Sequence, residues 1–217
     1  MKTDFKAKDK VLVLDFDHTC YDTDDFLISE IREPMIRLFH IKEEIWEQSY
    51  RTTADRGYAL EKHVQEITKL TGKEPCTPHQ IEKLGNSITF SKYLYPDVRP
   101  FLDQAKLKGY KILILSFGYP AWQDKKVLGV GLDKLVDEVL YTVEDKYSTK
   151  AEMIDRYLSL CERIIFVDNK GSNLDAMHEI LPKVETYLIN KVPEYAMDHK
   201  DQNDTRIKYL ESRHEAL

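Results

Sequence analysis

Nine residues near the start of the chain, Val11-Leu-Val-Leu-Asp15-Phe-Asp17-His-Thr19, restrict its possible architecture more than any other segment. Four successive aliphatic residues suit a strand buried on both faces, the pattern found at the centre of a parallel sheet. That strand ends in two carboxylates one residue apart. In open α/β sheets ligands bind beyond the carboxyl ends of the strands, so these acids stand where a ligand would. Such a pair can hold a divalent cation, or divide the roles of nucleophile and proton carrier. The plain alternative is a strand that runs out into a polar loop.

From Tyr95 onward helix and strand alternate. Apolar runs at 112–116, 139–141, 164–168 and 184–189 predict strands, and 98–105, 121–128, 151–160 and 173–181 predict helices, the first of them stopped by Gly109. Alternation of this kind implies right-handed crossovers and a doubly wound, Rossmann-like parallel sheet. Residues 22–94 carry helical spacing only. Phe26, Leu27, Ile31, Met35, Leu38 and Phe39 share a face, with a kink or break expected at Pro34. Ile41, Ile45 and Trp46 suggest a second helix, and Leu60, Val64, Ile67 and Leu70 a third, closed by Gly72. Ile81, Leu84 and Ile88 suggest a fourth, opened by Thr77-Pro78. The expected organisation is an α/β core of residues 1–21 and 95–217 with a helical bundle, 22–94, inserted after the first strand. Residues 190–217 are charged and proline-broken, with a final helix expected near 207–210.

A chain of 217 residues can bury one substantial core and a small second module. Its 38 acidic and 32 basic residues leave a net charge of −6, which argues against nucleic acid as a general partner. A small phosphorylated ligand is still accessible through a metal ion and a few local donors. No apolar run approaches the length of a membrane span, and the first residues lack the apolar region of a signal peptide. Cys20, Cys76 and Cys161 form no CxxC pair and no even disulfide framework, so a reduced, cytoplasmic setting is expected. Cys20 reads as a small buried hydrophobe, since no histidine is evidently paired with it.

Three predicted strands end in functional groups: Asp15 and Asp17, Ser116, and Asp168. Parallel pairing brings these ends to one edge of the sheet. Lys150, at the start of the helix before the Asp168 strand, can add positive charge. Together they supply what phosphoryl transfer needs: an attacking carboxylate, an acid for the leaving alkoxide, donors for the phosphate oxygens, and charge neutralisation.

The ordered set resembles the haloacid dehalogenase-like (HAD) hydrolase superfamily, in its phosphatase type with an inserted helical cap. Asp15-Phe-Asp17-His-Thr19 resembles the first motif, and Leu113-Ile-Leu-Ser116-Phe-Gly118 the second. Lys150 stands where the third-motif lysine is expected, and Phe166-Val-Asp168-Asn169 resembles the acidic fourth motif. The re-entry segment Tyr95-Pro-Asp-Val-Arg-Pro-Phe-Leu102 is also similar. The resemblance implies that Asp15 is a nucleophile forming an aspartyl-phosphate, and that Asp17 protonates the leaving group and then activates water. It implies that Thr19 orients Asp17, and that Ser116 and the backbone around Phe16, Asp17, Phe117 and Gly118 bind phosphate. Lys150 would bridge phosphate and nucleophile, and Mg²⁺ would lie on Asp15, Asp168 and the Asp17 main-chain oxygen.

Two departures stand out. Positions where the fourth motif often carries a second acid hold Asn169, Ser172 and Asn173, while Asp175 is expected on the following helix. The Lys-Pro pair of the third motif is missing, so Lys146 competes with Lys150; the helix-start pattern Ser148-Thr149-Lys150 favours Lys150. His18, Arg51, Arg56, Tyr58, His63, Arg99, Lys125, Trp46 and Trp122 read as loop, solvated or packing residues. The resemblance implies a Mg²⁺-dependent phosphomonoester hydrolase of a small soluble metabolite, a nucleoside monophosphate or a sugar phosphate among the candidates. A phosphomutase or phosphotransferase, and a catalytically weak phospho-ligand-binding relative, are the alternatives. An acid at position 17 argues against a dehalogenase, because halide leaves carbon without a proton.

Overall fold

The computed structural model describes residues 4–55, 57–142, 148–189, 207–210 and 213–217. Six strands form one wholly parallel sheet: β1 (Lys10–Leu14), β2 (Tyr110–Phe117), β3 (Glu138–Thr142), β4 (Arg163–Asp168), β5 (Glu185–Ile189) and β6 (Ile207–Leu210). Their order is β3-β2-β1-β4-β5-β6. The aliphatic run of β1 divides by parity. Leu12 and Leu14 face the layer built by α6 (Val98–Leu107) and α7 (Pro120–Gly129), while Val11 and Val13 face α8 (Ser148–Leu158) and α9 (Gly171–Ile180). Apolar residues on both parities are what a strand covered by helices on both faces requires.

Chain direction across the sheet reverses once. β1, β2 and β3 proceed outward on one side, and β4, β5 and β6 continue on the other. The crevice between β1 and β4 is therefore the switch point at which α/β sheets bind ligands. Asp15 and Asp168 stand at its two lips.

Between β1 and β2 the chain makes an excursion of α1 (Thr23–Phe26), a π-helical turn (Leu27–Arg32), α2 (Glu33–Phe39), α3 (Glu43–Ala54), α4 (Leu60–Thr71) and α5 (Pro78–Ser87). Gly72 closes α4 in the left-handed conformation, φ 68°, and Thr77 caps α5 reciprocally with Gln80. The outgoing and returning segments pair. Tyr21 bridges Leu94 in antiparallel sense, Asp22 N donates to Tyr93 O at 2.8 Å, and Tyr95 N donates to Cys20 O at 3.0 Å. Glu30, in the π-helical turn, accepts from Thr89 N at 2.9 Å and Tyr93 Oη at 2.7 Å, tying the excursion's first turn to its last.

The structure meets one of these expectations and corrects another. The break expected at Pro34 takes the form of the π-helical turn that ends at Arg32: Pro34 has no N–H to donate back into that turn, and the α-helix resumes around it as α2. Residues 207–210 are a strand paired with β5, not a helix. Asp175 lies on α9, as expected. Lys146 and Arg56 lie outside the described residues.

Candidate active site

β1 and β4 run side by side, with Val13 opposite Phe166 and Leu14 opposite Val167, so Asp15 and Asp168 emerge together. Lys150, in the first turn of α8 and 2% exposed, reaches both. Its Nζ donates to Asp15 Oδ1 at 2.6 Å and to Asp168 Oδ2 at 2.8 Å. Asn173 Nδ2 donates to the same Asp168 oxygen at 2.7 Å, and the Lys170 amide donates to Asp168 Oδ1 at 2.8 Å. Burial pushes the Asp15 carboxyl up from its ordinary range and neighbouring Asp168 adds to this, with Lys150 opposing both. The same two carboxylates raise Lys150 against the burial that would lower it, so it remains an ammonium.

Asp17 is held by a separate set. Thr23 Oγ1 donates to Oδ1 at 2.7 Å, Lys126 Nζ pairs with the same oxygen, and Gln123 Nε2 donates to Oδ2 at 2.8 Å. Burial alone would raise this carboxyl. Lys126 and the hydrogen bonds outweigh burial and bring it down to about 2. The hydroxyl found on Asp17 is thus that of Thr23, whereas Thr19 is fully buried beneath the loop and outside the cavity lining.

Ser116 lies at the carboxyl end of β2, fully buried in the cavity wall. Gly118 follows with φ 143°, and a Cβ there would lie 2.6 Å from Gln123 Nε2, so only glycine fits. Its N–H donates to Thr142 O at 2.7 Å. That bond removes the Gly118 amide from the expected phosphate contacts; the residue contributes space, with Gln123 filling it.

Asp15, Asp17, Thr23, Ser116, Gln123, Lys126, Lys150 and Asp168 open onto one cavity of about 420 Å³ that Phe117, His18, Asn169 and Asn173 also line. Its far wall comes from the inserted helices and α7: Phe26, Tyr50, Arg51, Tyr58 and Trp122. Trp122 packs edge-on against Tyr58, ring centroids 5.1 Å apart, so it both packs and lines the cavity. Gly57, φ 84°, brings the α3–α4 loop onto Gly118–Tyr119, where a Cβ would meet Tyr119 N at 2.7 Å. His18 adopts φ 58°, unusual for a residue with a side chain. His63 lies within the inserted helices, Arg99 Nη2 donates to Val130 O, and Lys125 lies over Trp122. None of these three lines the cavity.

A sequence model of the haloacid dehalogenase-like hydrolases matches residues 10–178, most of the chain and all of these strand ends. The chain belongs to that family. As a haloacid dehalogenase-like hydrolase it shares its fold with solved structures across nearly its whole length. One is designated a haloacid dehalogenase-like hydrolase of Burkholderia xenovorans, with TM-score 0.76, 20% identity, and coverage of 96% of this chain and 94% of that one. Another is the L-2-haloacid dehalogenase of Xanthobacter autotrophicus, with TM-score 0.61, 15% identity, and coverage of 95% and 96%. A third is designated a β-phosphoglucomutase of Thermotoga maritima, with TM-score 0.61, 14% identity, and 96% of both chains covered. At these identities the likeness shows the fold alone. No curated protein matches the sequence. No helix among the described residues is long and apolar enough to cross a membrane.

Within this hydrolase, sequence reasoning missed Gln123, Lys126 and Thr23. The only available signal was polarity in the wrong place. α7 buries Trp122, Gln123, Lys126 and Val127, so two polar residues occupy its inward stripe.

Proposed function

We propose that this hydrolase cleaves phosphomonoesters of small metabolites through an aspartyl-phosphate on Asp15, with Mg²⁺ as cofactor. The observation that carries the reading is Asp17: a second carboxylate on the same strand end, held by three donors of its own and lining the same cavity. A phosphate ester's alkoxide needs a proton to leave; a halide does not. Asp15 attacks phosphorus in line while Asp17, whose protonation the negative charge of the bound ester favours against the pull of Lys126, gives its proton to the leaving oxygen. Asp17, now a carboxylate with Lys126 beside it, takes a proton from water as that water attacks the aspartyl-phosphate. Ser116 and Lys150 hold the equatorial oxygens, Lys150 remaining paired with Asp15 throughout.

The residues fit a magnesium ion. The donors proposed for it are Asp15, Asp168 and main-chain oxygen; among the described residues no three His, Cys, Asp or Glu side chains cluster for a metal. Asn173 Oδ1 is buried without a partner among the described residues and lines the cavity, which supplies a further hard oxygen where an acid was expected. Bound there, Mg²⁺ would neutralise phosphate charge and relieve the crowding of Asp15 and Asp168.

In this reading residues 22–94 form a cap domain over a core of 1–21 and 95–217, and the cap's aromatic wall selects the leaving group. A cavity of about 420 Å³ has room for a nucleoside monophosphate or a sugar phosphate. The test is phosphate release from a panel of such esters and p-nitrophenyl phosphate. Hydrolysis is expected only with Mg²⁺, and Asp15→Asn is expected to abolish it in a folded protein. Activity persisting in excess chelator or in Asp15→Asn would overturn the mechanism. Interconversion of isomers without free phosphate would identify a mutase instead.

A further inference from the structure

Lys126 is 3% exposed, on the inward stripe of α7. Its ammonium lies 5.2 Å from the ring centroid of Phe16, 5.1 Å from Tyr21 and 5.9 Å from Phe26. Its ion pair among the described residues is with Asp17. A buried ammonium costs several kcal/mol unless its partner is well placed. Gln123, one turn earlier on α7, donates through one nitrogen to both Asp17 Oδ2 and Phe117 O, each at 2.8 Å. Its side chain fills the space left by the absent Cβ of Gly118. Both carboxylate oxygens of Asp17 are therefore fixed by one helix, and that helix is wedged against the Ser116 loop.

We propose that Lys126 and Gln123 are positioning residues that fix the plane and placement of the Asp17 carboxyl for proton transfer to the leaving oxygen, an inference that rests on the phosphatase reading. A lysine needed only to fill the core would be better replaced by an apolar residue of similar volume. Here the ammonium is instead enclosed by three aromatic rings and directed at one oxygen of the proton carrier. Proton transfer depends steeply on the donor's placement, so a loosened Asp17 slows bond cleavage only where the leaving oxygen needs its proton, and its later task as base toward water does not enter kcat/KM.

Leaving-group dependence separates this role from a structural one. Because p-nitrophenoxide departs without a proton and an alkoxide does not, kcat/KM through bond cleavage reads the acid selectively. Lys126→Met is expected to lower kcat/KM about 100-fold for the fastest primary-alkyl phosphate of the panel, and less than about 5-fold for p-nitrophenyl phosphate. Lys126→Arg should recover part of the alkyl-ester rate. If Lys126→Met does not fold, Gln123→Leu tests the same point and should show a selective loss of about 10-fold. Equal losses on both esters, or no loss, would overturn the positioning role while leaving the phosphatase reading intact. A wild-type protein that hydrolyses neither ester would overturn that reading, and this inference with it.

Discussion

Burying one carboxylate beside another is costly unless a cation lies between them, and Lys150 is that cation for Asp15 and Asp168. Lys150→Met would leave two buried acids facing each other, so a loss of about 3–5 kcal/mol in unfolding free energy is expected. Mg²⁺ should restore part of that loss by taking the place between them. Urea midpoints with and without the metal measure both effects; a midpoint unchanged from wild type would contradict them. Lys150 was legible because Ser148-Thr149 announces a helix start one residue earlier, and Asp15, Ser116 and Asp168 because each ends an apolar strand. Lys126 was not. Lys125, its neighbour, is equally charged, and nothing in one sequence says which of two adjacent lysines points inward when the helix stripe is itself partly polar.

The α3–α4 pair shows how a buried polar group ties elements together. His63, fully buried on α4, meets Ser49 Oγ of α3 through Nε2 at 2.8 Å and Tyr58 Oη through Nδ1 at 3.2 Å. Ser49 Oγ already donates to Ile45 O at 2.7 Å, which makes Nε2 the protonated nitrogen and Nδ1 the acceptor. Burial depresses this histidine to about 4, against roughly 6.5 in the unfolded chain. The unfolded state then binds the extra proton first, so stability is lost as pH falls through 6.5 and the loss levels off below about 4. The difference corresponds to about 3 kcal/mol. Urea unfolding between pH 7 and 4 should show that much more loss for wild type than for His63→Gln; parallel profiles would contradict the assignment. The helices themselves were legible from spacing, Gly72 and Thr77-Pro78. Pro34 marked the break, but not that it would take the form of a π-helical turn, because an inserted residue leaves no mark in composition.

At the scale of the molecule the sheet order decides where the chemistry stands, since only the β1–β4 crevice is a switch point. The parallel sheet and the common edge of its strand ends were readable from the alternation of elements; the order, and with it the place of the switch point, was not, because alternation is compatible with more than one order. The sixth strand was not: Ile207-Lys-Tyr-Leu210 is too short for its spacing to separate a helical period from an extended one. Its partner decides. Ile207 to Leu210 pair with Thr186 to Ile189, and Leu210 and Ala216 pack into the core with Tyr187 and Ile189. Lys108 Nζ also donates to Leu217 O at 2.8 Å, fastening the last described segment near the end of α6. A chain ended after Ile189 would therefore lose the burial of Leu210, about 2 kcal/mol from that side chain alone. It would also turn β5 into an open edge with unpaired N–H and C=O groups, a template for pairing with another chain. The expected outcome is a lower urea midpoint together with an elution volume that shifts with concentration more than the full chain's does. Hydrolysis per folded molecule should persist, because β4, the nearer strand carrying an acid, lies two places inward from β6. An unchanged midpoint and unchanged elution would mean that β6 adds no stability to the sheet it completes.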